Sequence, residues 1–468
     1  MKTEQNKFGV KDQVCYLFGD AGGNFVNMLV DAQFLAFSTY VLKIDPLFMG
    51  TMFLLVRIWD AINDPLIGSL PDRYLLGRSG DRFKPYIRLA MFPLVVSGLM
   101  AFADVSSWPT AVRYIWVTVA YVLVGMSYTG VSMPYGSMAS VITEDQVERS
   151  KLSRARAFGG VLVTVILSLV PQFVYDKETL DPIPRNFFFA AVICGVLSIL
   201  SFTVLLKGST ERIHYDTKAQ DYKFSVVLRA ALHNRPLIGT MIAAVGFLIF
   251  NTGFNQMSTY IFREYYHNTS IITFASVISL PLMLILFPFI PTLTRKYGKV
   301  KTIVVPCIFG AVLSLVLIFV PVANPWLYLA LEAVAIIGPM LYMLSCWAIV
   351  TDCIDYQEYT TGLRADGSIY SMYTFSRKIG SAIASAFASY SLALIGFDET
   401  LSLQTTEVAG RIRVLVSCLP FAGCALILIG LGLVYNLSDE DARRINAELR
   451  ARHESEQAAP EGDGGMSQ

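Results

Sequence analysis

Charge is scarce in this chain. Of its 468 residues, 16% are Asp, Glu, Lys or Arg, against about 25% in an ordinary soluble domain. Histidine is scarcer still. The four, His214, His233, His267 and His453, all fall in loops or in the tail. No nucleophile–base pair or His-centred metal constellation can be assembled from them. The seven Cys are scattered without ligand spacing, which argues against both a zinc site and a disulfide framework. A net charge of +1 offers no bulk attraction to nucleic acid. A cleavable leader is not expected either, because the polar N-terminus runs into one apolar stretch followed by many others. With no appended catalytic or output domain, membrane enzyme and membrane sensor are remote readings.

What is abundant is apolar sequence. Hydrophobic residues make up 54% of the chain, and mean hydropathy is +0.52. These residues come in blocks of about 20, the length that crosses a bilayer core as a helix. About twelve such blocks are expected from this rule. The charged stretch over 207–235 divides them into two sets. The expected plan is therefore all-α and integral to the membrane: a first six-helix bundle over 1–206, a linker over 207–235, a second bundle over 236–436, and a tail over 437–468. The tail should start as a charged helix and end disordered. Most of the Lys and Arg fall in alternate loops, around Arg73–Arg88, Arg149–Arg156, Lys207–Arg235 and Arg295–Lys301. The positive-inside rule then places both termini in the cytoplasm. The cell (inner) membrane is the expected setting.

Ionisable groups inside spans cost about 2.5–3.5 kcal/mol each on insertion scales, so each is a functional candidate. In the second span Arg57, Asp60 and Asp64 share one helical face. Two carboxylates with one Arg leave net negative charge, which binds a cation or a proton. In the first span Asp20, Asn24, Asn27 and Asp31 form a polar stripe, expected to face a cavity. In the fourth, Tyr128, Thr129 and Ser132 offer hydroxyls for a hard cation or for sugar hydroxyls; hydrogen bonding back to their own helix is the alternative. In the eleventh, Thr374 shares one face with Arg377 and another with Lys378, and one of the two cations should complement the second span. The acidic end of the tenth span, Asp352 and Asp355, lies near the basic turns at Arg295 and Arg364. A cytoplasmic gate of salt bridges is expected there.

At these residues the sequence resembles the glycoside–pentoside–hexuronide:cation symporters, the melibiose permease family of the major facilitator superfamily. The segments are RIWDAINDP (Arg57–Pro65), FKPYI (Phe83–Ile87), GMSYTGVSMPYGS (Gly125–Ser137), ERSKLSRAR (Glu148–Arg156), TDCIDYQEY (Thr351–Tyr359), GLRADGSIY (Gly362–Tyr370) and FSRKIGSA (Phe375–Ala382). The resemblance implies a twelve-helix transporter that imports sugars with H⁺, Na⁺ or Li⁺. It places Asp60 and Asp64 on the cation carboxylates, with Asn63 and Thr129 supporting them. It places Tyr128, Arg156, Thr374 and Lys378 near the sugar or between the halves. It departs from melibiose permease at Gly23, Asn24, Ser132 and Gly136, where that carrier has a lysine, two aspartates and a tryptophan. Galactoside specificity is therefore not implied, and an anionic sugar facing Arg156, Arg377 or Lys378 is one expectation. No cofactor is expected beyond a coupling ion, Na⁺ or H⁺, and the carrier should be a monomer. The runner-up is an uncoupled facilitator, or a carrier of a non-sugar substrate such as a lysolipid.

Overall fold

The computed structural model describes residues 8–74, 76, 81–143, 145–176, 178–212, 234–361 and 366–458. The first half contains α1 (Val10–Ala36), α2 (Pro46–Arg73), α3 (Lys84–Ala101), α4 (Thr110–Ile142), α5 (Gln146–Leu167) and α6 (Pro184–Gly208). The second contains α7 (Arg235–Tyr260), α8 (Ser270–Tyr297, broken into short pieces), α9 (Lys299–Phe319), α10 (Pro325–Thr360, broken at Ile336), α11 (Asp366–Leu394) and α12 (Thr406–Ile427). A last helix, α13 (Asp439–Ala458), follows. The sequence signals for these starts are local. Asp45, Asn234 and Asn324 accept hydrogen bonds from the first turns of α2, α7 and α10, and each helix has a proline in that turn, where a missing N–H costs nothing. Gly298, at φ 87°, ends α8 and starts α9.

Eight of these helices are long and apolar enough to cross a membrane by composition alone. The other four of the twelve are α1, α2, α3 and α11. Of these, α1, α2 and α11 carry the in-span charges, and α3 opens on Lys84 and Arg88. Lipid offers no hydrophobic drive between helices, so close backbone packing has to hold them. Gly246 shows how: a Cβ there would stand 2.8 Å from the Gly423 carbonyl oxygen of α12. Within the first half α1 packs on α5 and α6, and α3 packs on α4. Within the second, α7 packs on α11 and α12, and α9 on α12. The halves meet mainly where α2 crosses α11.

The two halves end their first helices in the same way. α1 runs into a π turn at Phe37–Val41 and α7 into one at Ile261–Tyr265. Leu42 N–H donates to Phe37 O as Tyr266 N–H donates to Ile261 O, and Ile44 N–H to Ser38 O as Asn268 N–H to Phe262 O. Lys43 (φ 52°) and His267 (φ 50°) take the same left-handed backbone. This repeat is sharper than anything in the basic loops, whose likeness is only compositional.

At the basic end Glu211 is buried and accepts from the backbone N–H groups of Arg82, Phe83 and Lys84. It follows α6 in the chain and caps the start of α3 at that same end, where the α3 dipole favours an anion. The charged helix expected at the tail is α13, and it is docked. Asp439 accepts from Lys299 N–H at 2.8 Å, Asn446 donates to Asp355 at 3.1 Å, and Ile445 and Leu449 are buried. Residues 213–233 of the expected linker and 459–468 of the tail lie outside the described residues.

Candidate functional site

A cavity of about 800 Å³ lies between the halves. Its walls come from α1 (Asn27), α2 (Arg57, Asp60, Asp64), α4 (Gly125, Tyr128, Thr129, Ser132, Met133) and α5 (Ser153, Arg156). Across from them stand Leu248 of α7, Trp347 of α10, and Thr374, Arg377, Lys378 and Ser381 of α11. Ser153 and Arg156 are exposed and form the rim toward the basic end. Helical spacing explains the α2 wall: offsets of three and four turn Arg57, Asp60 and Asp64 to one side.

The charges are sorted into pairs. Arg57 reaches back to Asp31 of α1 at 2.8 Å, and Asp31 also accepts from Asn27 at 3.0 Å. Arg156 donates to Asp20 at 3.0 Å, and Asn24 donates to the other Asp20 oxygen at 2.7 Å. Tyr128 closes that chain by donating to Asn24 at 3.2 Å. Asp20 and Asn24 thus stand just behind the wall, holding Arg156 and Tyr128 in it. Asp64 forms an ion pair across the halves with Lys378 and accepts from Thr129 at 2.7 Å. The Thr129 hydroxyl is therefore spent on Asp64 and not on its own helix.

Two charges remain. Asp60 Oδ1 is buried and has no hydrogen-bond donor among the described residues, although the fields of Arg57 and Lys378 reach it. Arg377 lines the cavity and an aromatic side pocket formed with Tyr342, Trp347 and Tyr373. It has no carboxylate or carbonyl partner among the described residues. Asn63 is buried next to Asp64, off the cavity wall, and its amide nitrogen also lacks an acceptor.

Of the expected cytoplasmic gate, the pairing of Asp352 is the part that the described residues display. Asp352 pairs with Lys299 at 2.6 Å and not with Arg295, which is exposed. Both partners belong to the second half, so this bridge fastens α10 to the start of α9 and does not join the two halves. Asp355 is buried beneath α13. Arg364 lies outside the described residues. The reason is helical phase. Arg295 sits in the last turn of α8 and points outward, whereas Lys299 begins α9 beside the α10 acid.

Trp347 was not singled out from sequence. It packs edge-on against Tyr373 with ring centroids 5.3 Å apart, and its exposed face lines the cavity. The available signal was its depth, since membrane Trp usually sits at the interface.

The comparisons with known proteins agree on one assignment. The MFS/sugar transport protein family matches residues 15–439. The chain is 26% identical to the glucuronide carrier protein homolog of Escherichia coli K12, covering 95% of this chain and 96% of that one. It is 26% identical to a putative sulfoquinovose importer of the same strain, over 97% of each. Against the isoprimeverose transporter of Lactiplantibacillus pentosus it is 25% identical, over 96% of this chain and 92% of that one. In structure it resembles a bacterial homolog of the lysosomal transporter Spinster in an inward-facing, unoccupied conformation. The TM-score is 0.66 at 12% identity, over 94% of this chain and 99% of the other. This last likeness speaks for the fold alone. The cavity between two helical halves, the in-span charges and the match over nearly the whole chain lead to one conclusion: the protein belongs to the MFS/sugar transport family, and it is a multi-pass membrane transporter, not an enzyme.

Proposed function

We propose that the protein is a cation-coupled symporter that imports a sugar carrying an acid group, working by alternating access in the inner membrane with both termini cytoplasmic. The observation that carries this reading is the charge inventory of the cavity. Three acid–base pairs are internally satisfied, and one carboxylate and one guanidinium are left over in the same chamber. An unpaired charge at this depth costs several kcal/mol. A monovalent cation at Asp60 and an anionic sugar at Arg377 offset both charges together. Neither ligand alone does so.

Lys378 is an internal cation already paired with Asp64. An arriving Na⁺ or H⁺ takes over part of its role beside Asp60 and Asp64, with the hydroxyls of Thr129 and Ser132 close by. Lys378 is then free to turn toward the substrate with Thr374. Tyr128, held by Asn24, and Arg156, held by Asp20, offer hydroxyl and guanidinium groups to sugar oxygens. Sugar and cation then raise each other's affinity by the same factor. Relatives named for glucuronide and sulfoquinovose support the acid group; the neutral sugar isoprimeverose in another relative's name is the competing case. The deciding experiment is uptake into proteoliposomes of a glucuronide and its neutral glucoside, under a Na⁺ or a proton gradient. Equal uptake of the two sugars would defeat the anionic part of this reading.

Gly125 sets the room at the cation site. A Cβ there would lie 2.8 Å from Asp60 Oδ1, closer than real Cβ contacts come, and 3.3 Å from Oδ2, which is tight. Gly125→Ala should therefore displace the carboxylate and raise the cation concentration for half-maximal uptake by about tenfold, a change of about 1.4 kcal/mol. An unchanged cation dependence in well-expressed protein would remove Asp60 from the site.

A further inference from the structure

At the end opposite the basic loops, the outer end by the positive-inside rule, the two halves are joined by a buried polar cluster that the transport site does not use. Its centre is Arg263, 1% exposed, with Glu264 fully buried beside it. The two side chains are paired with each other. Arg263 also reaches into the first half. Its Nε donates to Leu180 O at 2.7 Å, its guanidinium stands 4.2 Å above the Tyr40 ring, and Asp181 lies 3.5 Å away. Leu180 holds its carbonyl there in a left-handed backbone, φ 61°. Glu264 accepts from Tyr40 Oη at 2.8 Å, also across the halves, and from Gln404 N–H at 2.8 Å. Tyr260 and Thr39 join their hydroxyls at 2.7 Å alongside.

Tyr40 and Glu264 are 224 positions apart and hold the same place in the two matching helix endings. A bond between repeat-equivalent residues lies near the axis that relates the repeats, where the halves pivot. π turns of this kind recur at functional sites. A fully dehydrated Arg–Glu pair is stable only while its remaining bonds are made, and most of the first-half partners are lost if this end opens.

We propose that Arg263 and Glu264, with Tyr40 and the Leu180 carbonyl, form an outer latch that keeps the carrier closed to the outside and must break before substrate can enter. The latch sets the balance between inward- and outward-facing states, independently of which sugar or ion is carried. The test needs no substrate. A cysteine at Ser381, on the cavity wall, is placed in a Cys346→Ala background. Intact cells are then treated with a membrane-impermeant maleimide, which reaches Ser381→Cys only through an open outer end. Arg263→Gln and Glu264→Gln should each raise the labelling rate about 10- to 100-fold, the scale of one charge-assisted hydrogen bond. Tyr40→Phe removes a single cross-half bond and should raise it roughly 3- to 10-fold. It decides the matter if the charge variants fail to fold. Labelling at the parent rate in a variant that purifies as a monodisperse carrier overturns the latch. A failure of the sugar or cation assignments would leave this result untouched.

Discussion

Asp60→Asn is expected to bring the accumulation ratio down to about one while exchange of substrate across the membrane continues, since the coupling of typically 5- to 150-fold between ligands disappears. The substitution is nearly isosteric. It alters the cavity carboxylate whose buried Oδ1 has no hydrogen-bond donor among the described residues, and it leaves the Asp31–Arg57, Asp20–Arg156 and Asp64–Lys378 pairs in place. A carrier so altered still folds and still rocks, but it no longer needs an ion to do so. Active accumulation by the variant in vesicles would sink the coupling model. Loss of exchange along with accumulation would instead make Asp60 a structural group. If the unaltered protein itself shows exchange without accumulation, the uncoupled facilitator is the right reading.

Arg377→Gln should weaken binding of an anionic sugar by roughly 30- to 4,000-fold, the 2–5 kcal/mol that follows truncating one member of a buried charge pair. The neutral analogue should change by about threefold or less, because no charge is stranded when it binds. Arg377→Lys should recover only part of the loss, since an ammonium cannot present a bidentate fork to a carboxylate or sulfonate. Calorimetry on purified carrier with the two sugars separates these outcomes. An equal loss for both would mean that Arg377 holds the shape of the aromatic pocket and not the acid group.

Much of the fold and part of the site could be read from residue order. Long apolar runs and alternating basic loops are period-and-composition signals, and they set out the helices. The α2 face was legible because a helix fixes which of Arg57, Asp60 and Asp64 are neighbours. Choice of partner was not legible. Arg377 and Lys378 are adjacent, about 100° apart around α11, and only tertiary packing decides that Lys378 meets Asp64. Asp352 chose Lys299 over Arg295 for the same reason. The outer cluster was hidden more completely. Arg263 and Glu264 at a helix end look like ordinary loop charges, and their burial depends on a carbonyl at Leu180 and a phenol at Tyr40, both from the other half.

The weak hydropathy of α2 bears on how the protein is made. Its carboxylate Asp64 is neutralised by Lys378, and that lysine is synthesised only after most of the chain has followed. At about 5–20 residues per second, the delay is on the order of tens of seconds. Over that interval α2 holds an acid whose countercharge has not been made, and its neighbours α1 and α3 are likewise not apolar enough to cross by composition alone. A carrier truncated before α11 would be expected to lose α2 to the aqueous side, and to be cleared by quality-control proteolysis before it could be tested for transport.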